Sequence, residues 1–218
     1  MREFKLIRDP NDCGNLYYRT SATFEPGVTV LVGCNGCGKT SLIQQIKRQL
    51  EKEDIPFVHY DNLHHGGSNA RQKAGFYGDV EFMATSMCSS EGENIVLNMG
   101  NVAREMGSVS RKYPEAKEIW FLLDAVDSGL SIDNIVDIKE YLIKTVFEHN
   151  KGKDIYFIIS CNEYEMARGE KCFDTWLCKY IDIKSYEEYR EFILKSRERK
   201  DKREATWDKI RSRGRRRG

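Results

Sequence analysis

The chain has 218 residues, 40% of them hydrophobic and 11% aromatic, enough to bury the core of one α/β domain. Its formal net charge of +1 hides an asymmetry: residues 195–218 hold 12 Lys/Arg against 4 Asp/Glu, a net of +8, and the rest of the chain is net acidic. No apolar run reaches bilayer length, the N-terminal residues lack a signal-peptide core, and seven irregularly spaced cysteines do not suggest a disulfide framework. A cytoplasmic, reduced protein without a membrane segment is expected.

In chain order, strands are expected at residues 4–7, 16–23 and 28–32, with Pro26-Gly27 turning between the last two. The next eight residues, Gly33-Cys34-Asn35-Gly36-Cys37-Gly38-Lys39-Thr40, fill G-x-x-x-x-G-K-S/T at every fixed position. An apolar, β-branched strand precedes them. Leu42, Ile43, Ile46 and Leu50 follow at helical spacing. Strand, glycine loop and helix together make the context of a phosphate-binding loop. Glycines let backbone amides turn inward at a helix N-terminus, where they cradle phosphates. The expected phosphate-binding set is Asn35, Gly36, Cys37, Gly38, Lys39, Thr40 and Ser41. Lys39 would reach the β- and γ-phosphates, and the Thr40 hydroxyl would ligate Mg²⁺.

Residues 56–60 read as a short strand leading into a polar loop, 61–73; residues 74–90 are hard to assign. Ile95, Met99, Val102, Ala103 and Met106 then form an amphipathic helical pattern. A core strand, 119–123, ends at Asp124, a helix covers 132–148, and another core strand covers 155–160. Residues 172–183 suggest a hairpin. From 185 the chain is helical at first (Tyr186, Tyr189, Ile193), then charged and frayed. The organisation expected is a nucleotide-binding domain at 1–184 and a C-terminal helix with basic tail at 185–218.

Phe121-Leu122-Leu123-Asp124 places a carboxylate at the end of a core strand, where it can hold the water shell of Mg²⁺ or cap the next turn. Ser89-Ser90-Glu91-Gly92-Glu93 opens the amphipathic helix and reads locally as a capping box, with Ser90 as N-cap and Glu93 three residues on.

This order of features resembles ABC-type ATPases. In that family a signature written LSGGQ opens a helix between the Walker A loop and the Walker B strand. Ser90, Gly92 and Glu93 match its serine, second glycine and final polar residue, while Glu91 replaces the first glycine. After Asp124, Ser128 and Leu130 match the family's D-loop. Ala125 stands at the catalytic glutamate position, Ser131 at the D-loop aspartate, and Asn162 at the switch histidine. The entry strand and the G-x-N-G-x-G-K loop look closest to the SMC/RecF branch. The chain also resembles short stand-alone phage and bacterial ATPases, because the stretch between Lys39 and Ser90 is too short for a coiled-coil arm.

The resemblance implies a mostly parallel core sheet flanked by helices, antiparallel N-terminal strands, ATP and Mg²⁺ as cofactors, and an ATP-driven homodimer. It makes Lys39 and Asp124 catalytic, Thr40 and Asp124 metal-binding, and Ser90, Gly92 and Glu93 nucleotide-binding across subunits. Asp127 is the candidate base in place of the missing glutamate, or else a turn cap.

Other residues carry weaker readings. Cys34 and Cys37 form C-x-x-C inside the loop, as a redox pair, a metal pair or variable loop positions. His59, His64 and His65 with Asp61 could bind metal or line a polar loop, with Asp61 or Asn62 near the family's Q-loop position. Tyr17, Tyr18 or Arg19 could pack on adenine, although a strand tyrosine is more often core. The function expected is a slowly hydrolysing ATPase that acts with nucleic acid through its basic tail. The main alternative is a non-hydrolysing, ATP-gated dimerisation switch that binds a protein partner. A small-molecule kinase and a transporter subunit are the remaining readings.

Overall fold

The computed structural model describes residues 1–7, 16–62 and 91–214, with the backbone alone for 91–99 and 210–214. Its centre is a six-stranded sheet in the order β4-β5-β6-β3-β7-β8. In chain order these strands are β3 (Gly27–Val32), β4 (Phe57–Asp61), β5 (Glu118–Asp124), β6 (Asp154–Ser160), β7 (Lys171–Asp174) and β8 (Lys179–Ile181). The first five are parallel to one another and β8 returns antiparallel. A separate two-stranded antiparallel sheet joins β1 (Arg2–Lys5) to β2 (Ser21–Phe24).

The central strands are apolar on both faces because both faces are covered. Leu31, Leu122 and Ile158 point to one side, where α1 (Lys39–Lys52) and the β1–β2 sheet bury Leu42, Ile43, Ile46, Phe4 and Phe24. Val30, Val32, Phe121, Leu123, Phe157 and Ile159 point to the other. There α2 (Glu91–Lys112), α3 (Ile132–Asp137) and α4 (Lys144–His149) complete a second core through Val102, Met106, Ile135 and Val146. The alternation of strand side chains divides one sheet between two cores. Each fully buried large side chain contributes about 1.5–3 kcal/mol.

The boundaries differ from the expectation in physically informative ways. Residues 16–20 are not a strand; β2 is confined to Ser21–Phe24 and pairs with β1 rather than β3. Pro26-Gly27 is therefore no hairpin turn: it carries the chain from one sheet into the other. The helix expected at 132–148 is interrupted by a π-helical segment, Ile138–Ile143, between α3 and α4. After a one-turn helix, α5 (Tyr164–Ala167), and the β7–β8 hairpin, the last helix α6 runs from Tyr186 to Gly214 without a break. The frayed charged end is thus corrected to a helix, for a reason that appears in the site. No helix among the described residues is long and apolar enough to cross a membrane.

Candidate functional site

Parallel α/β sheets bind ligands at the carboxyl ends of their strands, where strand order reverses. Here β3 stands between β6 and β7, and its carboxyl end leads directly into the glycine loop. Gly38 is the N-cap of α1 with φ 103, a left-handed conformation that disfavours a side chain. A Cβ there would also lie 3.3 Å from the Tyr17 ring, whose hydroxyl donates to the Gly38 carbonyl at 3.0 Å. Tyr17 is buried. Its position supports the core reading over the adenine one. Tyr18 is exposed and packs near Trp176 at 5.8 Å.

A cavity of about 230 Å³ opens above the loop. Asn35, Gly36, Gly38, Lys39, Thr40 and Ser41 line it from the loop side. Asp124, Ala125, Ser160 and Asn162 line it from the ends of β5 and β6, and Leu16 closes a flank. Lys39 is nearly buried; its Nζ donates to the Gly33 carbonyl at 2.8 Å and to Asn162 Oδ1 at 3.4 Å. Asp124 is buried and accepts a hydrogen bond from Ser160 Oγ, and that same oxygen accepts from the Ala125 amide at 2.9 Å. A hydroxyl at Thr40 and a carboxylate at Asp124 on one cavity make an all-oxygen donor set of the kind that suits a hard divalent cation.

Asp127 does not line that cavity. It is buried, and its Oδ2 accepts from the amides of Asn162 and Glu163, both at 2.6 Å. Among the described residues its Oδ1 has no hydrogen-bond partner. Burial pushes its carboxyl above the usual range, against the pull of those amides and of Lys39. In this arrangement Asp127 braces the turn that presents Asn162, which corresponds to the turn-cap alternative.

Asp61 ends β4 in register with Asp124 on β5 and is buried. Asn62 accepts from Tyr60 Oη at 2.9 Å and donates to the Ser128 carbonyl at 3.0 Å, tying the end of β4 to the turn after β5. Ser90, His64 and His65 lie outside the described residues, and Gly92 and Glu93 fall in the first turn of α2, where only the backbone is described. Among the described residues, no three of His, Cys, Asp and Glu cluster as metal ligands.

The largest departure from the expected layout is α6. Its buried and half-buried stripe runs Tyr189, Phe192, Ile193, Ser196, Arg199, Lys200, Arg203 and Trp207. Tyr189 enters the core and donates to the Asn162 carbonyl at 2.9 Å. Ser196 Oγ accepts from the Cys34 amide at 3.1 Å, and Lys200 Nζ donates to the Asn35 carbonyl at 3.3 Å. Arg203 reaches the Leu16 carbonyl at 3.4 Å. Arg199 pairs with buried Asp174 at 3.1 Å and lies over the Trp176 and Phe192 rings. The helix thus lies across the outer side of the glycine loop.

Three cations of the basic segment, Arg199, Lys200 and Arg203, are directed at the body. The outer face from 186 to 209 is mixed in sign: exposed Arg190, Lys195, Arg197, Lys202 and Lys209 alternate with seven acidic residues. Sequence reasoning missed Ser160, Ser196 and Lys200 as parts of the site. The i, i+3, i+4, i+7 spacing of the α6 stripe was the available signal, obscured because three of its eight members are charged.

No protein-family model matches this chain, and none of the curated proteins compared with it matches either.

Proposed function

We propose that the chain binds Mg-ATP at the cavity above the glycine loop and acts as an ABC-type ATPase of slow turnover. One observation carries the reading. Loop residues 35, 36 and 38–41, Lys39 among them, converge with Asp124 and Asn162 on a single concave site at the carboxyl ends of β3, β5 and β6. The glycine loop and the α1 N-terminus suit a chain of phosphates. Lys39, held by the Gly33 carbonyl and Asn162, is the cation that would transfer to the terminal phosphates. Thr40 and Asp124 would hold Mg²⁺, whose charge offsets that of the phosphates.

The proposed assembly is an ATP-driven, head-to-tail homodimer in which Ser90, Gly92 and Glu93 close over the partner's nucleotide. Action on nucleic acid is assigned to the terminal arginines, since the outer face of α6 ahead of them is mixed in charge. Ala125 and Asn162 on the cavity wall favour the second reading, an ATP-gated switch that binds a protein partner without hydrolysis. Neither side chain can serve as a carboxylate base, and Asp127 is engaged by two backbone amides.

Calorimetry with Mg-ATP, light scattering with and without it, and phosphate release test these readings together. Wild type is expected to bind Mg-ATP and double its mass. Lys39→Ala is expected to lose affinity by about 10- to 100-fold, the worth of a charge-assisted contact. Equal binding by both proteins, or by neither, defeats the nucleotide reading. Dimerisation without phosphate release selects the switch.

A further inference from the structure

The thiol groups of Cys34 and Cys37 are left unused by the nucleotide reading, which calls only on the backbone at 37, and their geometry is specific. The Cys37 amide donates to the Cys34 carbonyl at 3.2 Å, closing a four-residue turn. Such a turn keeps its end Cα atoms within about 7 Å, and a disulfide spans roughly 4.4–6.8 Å between Cα atoms. The two thiols are electrostatic neighbours: each is the largest influence on the other's hold on its proton. Both are free in this structure.

Cys34 is also approachable. Although its surface is only 7% exposed, it borders a cavity of about 320 Å³ shared with Asn162, Arg197 and Lys200. A peroxide molecule is comparable to two waters, each occupying about 30 Å³ of liquid. The Cys37 thiol, helped by Ser196 and by the Lys200 and Lys39 ammonium groups, lowers the Cys34 thiol to about 6 against the opposing effect of burial. The shift is toward the thiolate, the nucleophilic form. The neighbouring Cys34 thiol and burial push the Cys37 thiol upward, so Cys37 stays protonated. Burial raises Cys161, Cys172 and Cys178 as well, which makes these three inert controls within the same chain.

We propose that Cys34 and Cys37 are a reversible dithiol–disulfide switch inside the glycine loop, oxidised by peroxide, and that the oxidised loop no longer holds nucleotide. The effect on nucleotide rests on the function proposed above; the bond itself does not. The Cys34 thiolate attacks one oxygen of hydrogen peroxide. The O–O bond breaks, Cys34 becomes a sulfenic acid, and the departing hydroxide takes a proton to give water. The Cys37 sulfur then attacks the sulfenic sulfur, the S–S bond forms, and a second water leaves with the Cys37 proton. The two sulfurs supply the two electrons that reduce the peroxide. An added dithiol reverses the reaction.

The loop has little slack for this change. The Cys37 sulfur sits 2.5 Å from where a Cβ on Gly33 would stand, and the Gly33 carbonyl holds Lys39. Drawing the sulfurs to about 2.05 Å moves the segment whose amides form the cradle. Coupling is reciprocal. Bound phosphates would neutralise Lys39 and weaken its stabilisation of the Cys34 thiolate, so nucleotide slows oxidation.

The experiment treats the reduced full chain with peroxide, maps disulfides by peptide mass, and measures Mg-ATP affinity before oxidation, after it, and after re-reduction. The expected result is a Cys34–Cys37 bond, an affinity loss of at least about tenfold, recovery on re-reduction, and slower bond formation with Mg-ATP present. The oxidised-to-reduced affinity ratio of Cys34→Ser is expected to be one. The proposal is overturned if no 34–37 bond forms, if the bond forms without change in affinity, or if Cys161, Cys172 and Cys178 react as fast. Failure of the reduced protein to bind Mg-ATP sinks the nucleotide reading and the switch of binding with it, while the mapped bond decides the thiol chemistry separately.

Discussion

The glycine loop after β3 and the turn after β5 lie side by side at the same end of the sheet, and they are held in different ways. Loop residues 35, 36 and 38–41 line the cavity, and the residues around the loop act as braces: Tyr17 on the Gly38 carbonyl, Ser196 on the Cys34 amide, Lys200 on the Asn35 carbonyl. In the turn after β5 the side chains hold the backbone. Ser160 bridges Asp124 and the Ala125 amide, Asp127 binds the Asn162 and Glu163 amides, and Asn62 holds the Ser128 carbonyl. A loop whose chemistry lies in its amides is recognisable from glycine spacing. A carboxylate committed to bracing, as Asp127 is, cannot be assigned a catalytic role from its place in the sequence.

The strongest challenge to this contrast is Ala125→Glu. It puts a carboxylate on the cavity wall where only a methyl group now stands. If the missing base limits turnover, phosphate release should rise by roughly 10²–10⁴-fold, the usual worth of general-base catalysis. Unchanged release would mean that some group other than position 125 limits the reaction.

Next in size is the brace. Asp127→Ala leaves two backbone amides without their acceptor and should destabilise the fold by about 1–3 kcal/mol in denaturant unfolding. Asp127→Asn keeps an acceptor oxygen and should cost less. It also changes the pH dependence. Because the folded carboxyl is raised, the folded state holds this proton more tightly than the unfolded chain. Its contribution to stability is complete below the ordinary carboxylate range and is lost as pH rises through the raised folded value. Asp127→Asn should therefore gain stability relative to wild type as pH increases across that window; a parallel pair of curves would break the assignment.

The basic end should matter on a smaller scale. A chain ending at Ile210 keeps the Ser196, Lys200 and Arg203 braces and removes Arg211, Arg213, Arg215, Arg216 and Arg217. Nucleic-acid affinity should fall by about tenfold or more, with a shallower salt dependence in titrations at two ionic strengths. Unchanged affinity would move the contact elsewhere. The smallest expected effect is Ala125→Gly. Ala125 has φ 52, left-handed for a residue with a Cβ, so relieving it should stabilise the fold by about 1 kcal/mol in thermal unfolding.

The sequence by itself determined the glycine loop, the helix after it and the three core strands that carry the site; that Asp124 and Asn162 would meet that loop was implied by the family resemblance. Period-two and continuous apolar patterns specify buried strands, and glycine at fixed spacing specifies a backbone conformation; both are local properties. Tertiary structure alone decided that β2 leaves the main sheet, that Asp127 braces the Asn162 turn, and that α6 lies across the loop instead of trailing into solvent. Those outcomes depend on which distant groups satisfy a buried amide or a buried charge. Ser196 against Cys34 and Arg199 against Asp174 are such pairs, more than a hundred residues apart in one case and 25 in the other. A helix whose buried stripe includes arginine and lysine carries a helical spacing, but its charges make that spacing look solvent-exposed. Its place becomes visible only when the loop carbonyls and the buried carboxylate that receive those cations are assembled beside it.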